Sequence, residues 1–329
     1  MGWLTWRQHR AEAAAILTVL VALAVGVLLL TLAGSGMLAT LSRGCAAGVC
    51  TTNFALFFQS GLFEGWTLVM VAVIAVPVVF GVFVGAPMIA RELEHGTQFV
   101  AWSQGVTRRR WFVSRVGLVV LSSVVGAAIL AAIAQGWFAV QRDLVNSNAV
   151  VGGFTFWDGF DIAPPVVIAY TLFALALGVA AGAALRRTVP AMALTLAAYI
   201  AVRVPLAQLA RWRYLPPVTA RLSDGGQLVS VASLPGPSDW QLTSYPPTYV
   251  DAAGHALNAS SVNRLLEQCS GGSPSAAPTC PSALNGVYTL LQYQPALRFW
   301  LFQGIEAAIF LVLAVALLAL AYRLVMRLR

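Results

Sequence analysis

Arg203 and Glu306 each lie inside an apolar run long enough to cross a bilayer, where a charge is costly and by default marks function. Counted along helices at 1.5 Å per residue, they lie about 20 Å and 26 Å above the cytoplasmic ends assigned below. Two opposite charges thus share a level in the outer half of the membrane. A direct or water-bridged pair would hold the last two spans together. The alternatives are separate snorkelling to the headgroups, or a Glu306 that faces a translocation path and contacts cargo. Asp158 and Asp161 in "WDGFD" are the best remaining carboxylates for surface chemistry. The three histidines, His9, His95 and His255, are scattered and pair with no carboxylate cluster, as a converging active site would require.

A second group of charges is local. "ARELEHGTQFVAWSQGVTRRRWFVSR", residues 90 to 115, is an island of charge in a chain where one residue in ten is charged. "RELEH" prolongs the preceding helix beyond the membrane, and Gly96 breaks it. Thr97 can cap a new short helix through "QFVAWS", and Thr107 can cap the next span. Arg108, Arg109 and Arg110 then oppose that helix's dipole, a cost that anchoring or a partner must offset. Anchoring explains the charges but not Phe99, Val100 and Trp102, an exposed apolar group in a turn, which points to a protein contact.

The cysteines form two close pairs, Cys45 with Cys50 and Cys269 with Cys280. Neither has zinc-site spacing or a neighbouring histidine. Four cysteines allow three connectivities, of which the two local pairings close at the lowest entropy cost. All 20 basic residues are arginine, so this chain holds neither a Walker A lysine nor a lysine Schiff base.

The elements that carry these residues follow from composition. A chain of 329 residues that is 59% hydrophobic, with mean hydropathy +0.79, reads as an integral membrane protein. Six runs suit spans: 13 to 34, 67 to 90, 116 to 138, 164 to 185, 189 to 210 and 299 to 322. The segments facing one side, 1 to 12, 91 to 115, 186 to 188 and 323 to 329, hold most of the arginines, which places them and both termini in the cytoplasm. The basic charge is then a topology signal, and a nucleic-acid partner has little support.

The expectation is an all-α polytopic membrane protein with six transmembrane helices and an enlarged extracellular subdomain between the fifth and sixth. Its parts are a cytoplasmic amphipathic helix at 1 to 12, five spans over 13 to 210 with the hairpin 91 to 115, the outer subdomain at 211 to 298, and the last span and tail at 299 to 329. In the subdomain, "LPP", "DGG", "LPGP" and "YPP" favour turns. Ala256, Val262, Leu265 and Leu266 follow at helical spacing. Both cysteine pairs fall on the outer side, where oxidation favours disulfides.

The island resembles the Arg-Glu-x-Glu-x-Gly-Thr... Arg segment of membrane subunits of type-2 ATP-binding-cassette (ABC-2) exporters. "TWRQHR", "RRTVP" and "YQPALRFWLFQGIE" are similar to one subgroup of these permeases. The resemblance implies a permease in the plasma membrane, non-catalytic itself, whose hairpin docks a separate ATPase subunit that carries ATP and Mg. Glu92, Glu94, Gly96 and Thr97 would form the helix end and turn, residues 97 to 104 the coupling helix with Phe99, Val100 and Trp102, and Arg108 to Arg110 the start of the third span. This chain reads Gln104-Gly105 where the family often has a proline. A second permease subunit, identical or not, would complete the path, with membrane lipid around it and no cofactor in this chain. Smooth Ala, Val and Leu spans fit a hydrophobic or amphipathic cargo such as a drug, lipid, peptide or natural product. The competing readings are a six-span sensor or structural protein and a membrane-embedded lipid-modifying enzyme.

Overall fold

The computed structural model describes residues 18, 21–22, 24–36, 61–97, 107–145, 159–223, 228–230, 239–242, 248–262, 264 and 286–327. The chain divides into two compact units, one made of Met1–Arg211 with Trp300–Arg329, the other of Trp212–Phe299.

The first unit is helical among its described residues. A short apolar helix α1 (Ala24–Gly36) precedes α2 (Gly61–Val79), a π segment (Phe80–Gly85) and α3 (Ala86–His95). Then follow α4 (Arg108–Val145), α5 (Pro164–Leu185), α6 (Thr188–Pro205) with a second π segment (Leu206–Ala210) and a 3-10 turn (Arg211–Arg213), and finally α7 (Phe299–Met326). Five of the expected spans coincide with helices long and apolar enough to cross a membrane. The expected first span, 13 to 34, falls partly outside the described residues. Each π segment follows a proline, Pro77 or Pro205. A proline lacks the N–H that would bond four residues back, and a wider turn re-satisfies the carbonyls so freed.

α5 is the buried centre of this unit. Its Gly178 and Gly182 meet Gly81 and Gly85 of the first π segment and Ala86 and Ala90 of α3. A Cβ on Gly178 would lie 2.6 Å from the Ala86 nitrogen, and one on Gly81 2.6 Å from the Ala174 oxygen. Two G-x-x-x-G stretches, "GVFVG" and "GVAAG", therefore face each other and let two backbones touch. Around this crossing pack Val27, Met70, Val73, Leu130, Ile162 and Leu175.

The second unit departs from the all-α expectation. It holds an antiparallel sheet in the order β2-β1-β6-β4-β5, with β3 also paired to β6. The strands are β1 (Val218–Ser223), β2 (Leu228–Ser230), β3 (Trp240–Gln241), β4 (Thr248–Val250), β5 (Ala256–Leu257) and β6 (Tyr288–Gln294). The aromatic and branched residues of "YTLLQYQ" favour the central strand. Ala256, expected on a helix, instead pairs with Val250. Gly254 at φ 94 turns the chain between β4 and β5, a left-handed conformation that ends any helix there. Asn258 then caps the next turn by accepting from the Ser260 amide at 3.0 Å, and the helical residues begin at 259, with Val262 buried beside Tyr249 and Val287. Leu265 and Leu266 lie outside the described residues, as do all four cysteines.

Candidate functional site

Two groups of polar side chains in the helical unit stand out, at opposite ends of α6 and α7. The first is buried. Glu306, wholly inaccessible, receives a forked pair of hydrogen bonds from Arg211: Nε to Oε2 at 2.8 Å and Nη2 to Oε1 at 2.9 Å. That fork matches the planar guanidinium to the carboxylate, a fit that a lysine ammonium does not offer. Tyr170 of α5 donates its hydroxyl to Glu306 Oε1. Asp161, on the 3-10 turn Phe160–Ile162 ahead of α5, accepts through Oδ1 from Arg211 Nη2 at 2.6 Å and ion-pairs with Arg203 Nη2 at 2.6 Å. Arg203 Nη1 lies 3.7 Å from Glu306 Oε1. Two arginines thus face two carboxylates, a neutral set that avoids leaving a lone charge in an apolar interior.

Aromatic rings complete the enclosure. The Arg203 guanidinium sits 4.1 Å over the Tyr170 ring and that of Arg211 4.1 Å over Phe160, the favourable side of each π system for a cation. Phe310 of α7 lies edge-on to both Tyr170 and Phe173. Gln303, one turn before Glu306, donates to the Phe160 carbonyl at 2.7 Å.

The local sequence explains why these groups converge. Pro164 and Pro165 open α5 with φ already helical, and Gly159 at φ 84 turns the chain into the 3-10 turn carrying Asp161. Arg203 and Arg211 are eight residues apart. On a regular helix eight steps leave them about 80° out of line; the π segment between them absorbs one residue, and seven effective steps bring them to within about 20°.

The expected Arg203 and Glu306 proximity is therefore present, but each charge has a closer partner. Arg203 engages Asp161, and Glu306 engages Arg211, which the sequence had placed as the first residue of the outer segment. Asp161, weighed as an enzymatic carboxylate, is held by two arginines; Asp158 lies outside the described residues. Arg211, Tyr170 and Gln303 were missed. Their signal was the proline at 205, which announces an irregular turn just before Arg211, and a tyrosine within an otherwise apolar span.

The second group surrounds the hairpin 91 to 115. α3 runs to His95 and Gly96 closes it at φ 67, as expected for its break. Thr107 Oγ1 accepts from the Arg110 amide at 3.3 Å, the expected cap of α4. Glu92 and Arg115 form an ion pair across the hairpin. Glu94 Oε2 accepts from the Thr188 amide at 2.9 Å and its hydroxyl at 2.7 Å, placing a carboxylate on the positive N-terminus of α6. Arg108 Nη1 donates to the Met326 carbonyl at 3.3 Å and so covers the C-terminus of α7. Ile89, Trp111, Phe112, Val179, Ala321 and Val325 pack behind these contacts. Arg109 and Arg110 are exposed; Phe99, Val100 and Trp102 lie outside the described residues.

The two groups are joined lengthwise. Thr188 and Arg203 stand about 22 Å apart along α6, and Glu306 and Met326 about 30 Å apart along α7. Each of the two helices runs from one group to the other. No curated protein and no solved structure matches the chain. The family model described as ABC-2 membrane transporter related matches residues 17–211, more than half of the chain, a segment that contains the hairpin, Asp161, Tyr170 and both arginines of the buried cluster. The chain belongs to the ABC-2 membrane transporter related family and is a multi-pass transporter permease.

Proposed function

We propose that this permease moves a hydrophobic or amphipathic cargo outward across the cell membrane, driven by a separate ATPase subunit seated on the hairpin 91 to 115. ATP and Mg belong to that partner. A second permease subunit completes the path. The arginine-rich hairpin, the 186 to 188 turn and both termini face the cytoplasm; residues 35 to 66, 139 to 163 and 211 to 298 face outside, where Cys45 with Cys50 and Cys269 with Cys280 form disulfides.

The observation that carries this reading is the fastening of the hairpin. Glu92 ties its two sides together, Glu94 ties it to the start of α6, and Arg108 ties it to the end of α7. A partner pressing on the turn between Gly96 and Thr107 loads both helices at once, as a rigid-body shift. The residues left for the partner are Phe99, Val100 and Trp102, an apolar trio of the kind that anchors interfaces.

The test is co-purification of the full chain with its ATPase. Phe99→Ala with Trp102→Ala should leave membrane insertion unchanged and lower recovery of the ATPase at least about tenfold, the loss of one interface hot spot. Full recovery and full transport by the double variant would refute the docking site.

A further inference from the structure

We propose that the π segment Leu206–Ala210 is a register switch: by relaxing into regular α-helix it swings Arg211 out of the buried cluster and passes Glu306 to Arg203. The segment needs only the purified chain to be tested, and stands whatever the partner or the cargo.

Four features converge on it. None of the residues Leu206 to Ala210 is fully buried, and Gln208 and Leu209 are exposed, so tertiary packing holds the wide turn only in part; Leu209 is 63% exposed. The turn begins at Pro205, whose missing N–H loosens the hydrogen-bond ladder where a change of register must start. Regular α-helix would then turn Arg211 by about 100°, one residue step, to about 80° out of line with Arg203, enough to withdraw its fork from Glu306.

The cluster is also built for two arrangements. Asp161 Oδ1 lies 2.6 Å from the Nη2 of both arginines, so one carboxylate oxygen is shared between them. Meanwhile Arg203 Nη1 is buried with no hydrogen-bond partner, 3.7 Å from Glu306 Oε1. One arginine is fully committed and the other holds a donor in reserve beside the same carboxylate. When Arg211 leaves, a small movement of Arg203 keeps Glu306 paired, with Tyr170 still donating to it. A bistable element of this kind needs both states to satisfy the buried charges, and Arg203 supplies the second.

Hydrogen exchange on the full chain in mixed micelles reads the opening directly. Amides of 206 to 211 should exchange on the order of tenfold faster than those of 193 to 203 on the same helix. A double-mutant cycle reads the exchange of partners. The Arg203→Gln and Glu306→Gln coupling, measured as the ratio of unfolding constants, should rise on the order of tenfold when Arg211→Gln is already present. Protection of 206 to 211 equal to that of 193 to 203 overturns the switch, and so does a coupling that stays level or falls in the Arg211→Gln background. The exchange measurement needs no substitution and decides the matter should the variants fail to fold.

Discussion

The two ends of α6 and α7 are fastened by similar chemistry in different surroundings. At the hairpin end, Glu94 is exposed and accepts from the Thr188 amide and hydroxyl. At the other end, Glu306 and Asp161 are 0% and 4% exposed and meet two arginines and a tyrosine. Water competes with the first contact and is excluded from the second. A contact open to water can be remade at little cost, which suits a point of force transfer. A contact closed to water resists separation unless every charge retains a partner, which suits a latch.

The comparison breaks most visibly at Glu306. Replacing it by Ala leaves two arginines facing Asp161 alone and should destabilise the chain by about 3–5 kcal/mol, read from the unfolding equilibrium in mixed micelles. Replacing both Glu306 by Leu and Arg211 by Met should cost clearly less than the single change, because no charge is then stranded. Equal losses from the single and the double variant would show that the fork does not couple the two residues. Smaller, and at the junction between the two ends, is Gly178→Leu. Its side chain would enter the backbone contact with Gly81 and Ala86, at a cost of about 1–3 kcal/mol. Gly117→Leu on α4 is the control, since nothing lies within 4 Å of its Cβ position.

The smallest effect lies in the sheet unit. Asp251 accepts from the His255 amide at 2.8 Å and contacts its ring at 3.1 Å. The backbone bond from His255, then its side chain, hold the carboxyl below its ordinary value of 3.8. A lowered value in the folded state contributes stability above the unfolded value and loses it as pH falls through the folded one. Asp251→Asn should therefore lower the melting temperature slightly at neutral pH, and the difference should vanish well below pH 3.8. A difference that persists in acid would assign it to something other than this carboxylate.

Much of the helical unit was legible because the membrane leaves few options: a run of 22 apolar residues from Pro164 to Leu185 forms a helix of those bounds. Gly96 and Thr107 were legible as a stop and a cap for the same local reason. The level shared by Arg203 and Glu306 followed from helix rise alone. Their true partners did not, because Arg211 reaches the cluster only through a π turn, a one-residue change of register that the residue pattern does not encode. The facing G-x-x-x-G stretches were present in the sequence and went unread. The sheet was hidden by its short strands: β5 has two residues, too few for any period to declare itself.

The central claim is that the hairpin end drives the cluster end through α6 and α7. Hydrogen exchange at 159 to 163 and 206 to 211, measured on the chain reconstituted with the proposed ATPase subunit, with and without ATP, tests it most directly. The account predicts that ATP changes exchange at both segments in the unaltered chain, and that Glu94→Gln, which weakens the grip on Thr188, reduces that response while the complex still assembles. No response to ATP in the unaltered chain, or an equal response in Glu94→Gln, would contradict it.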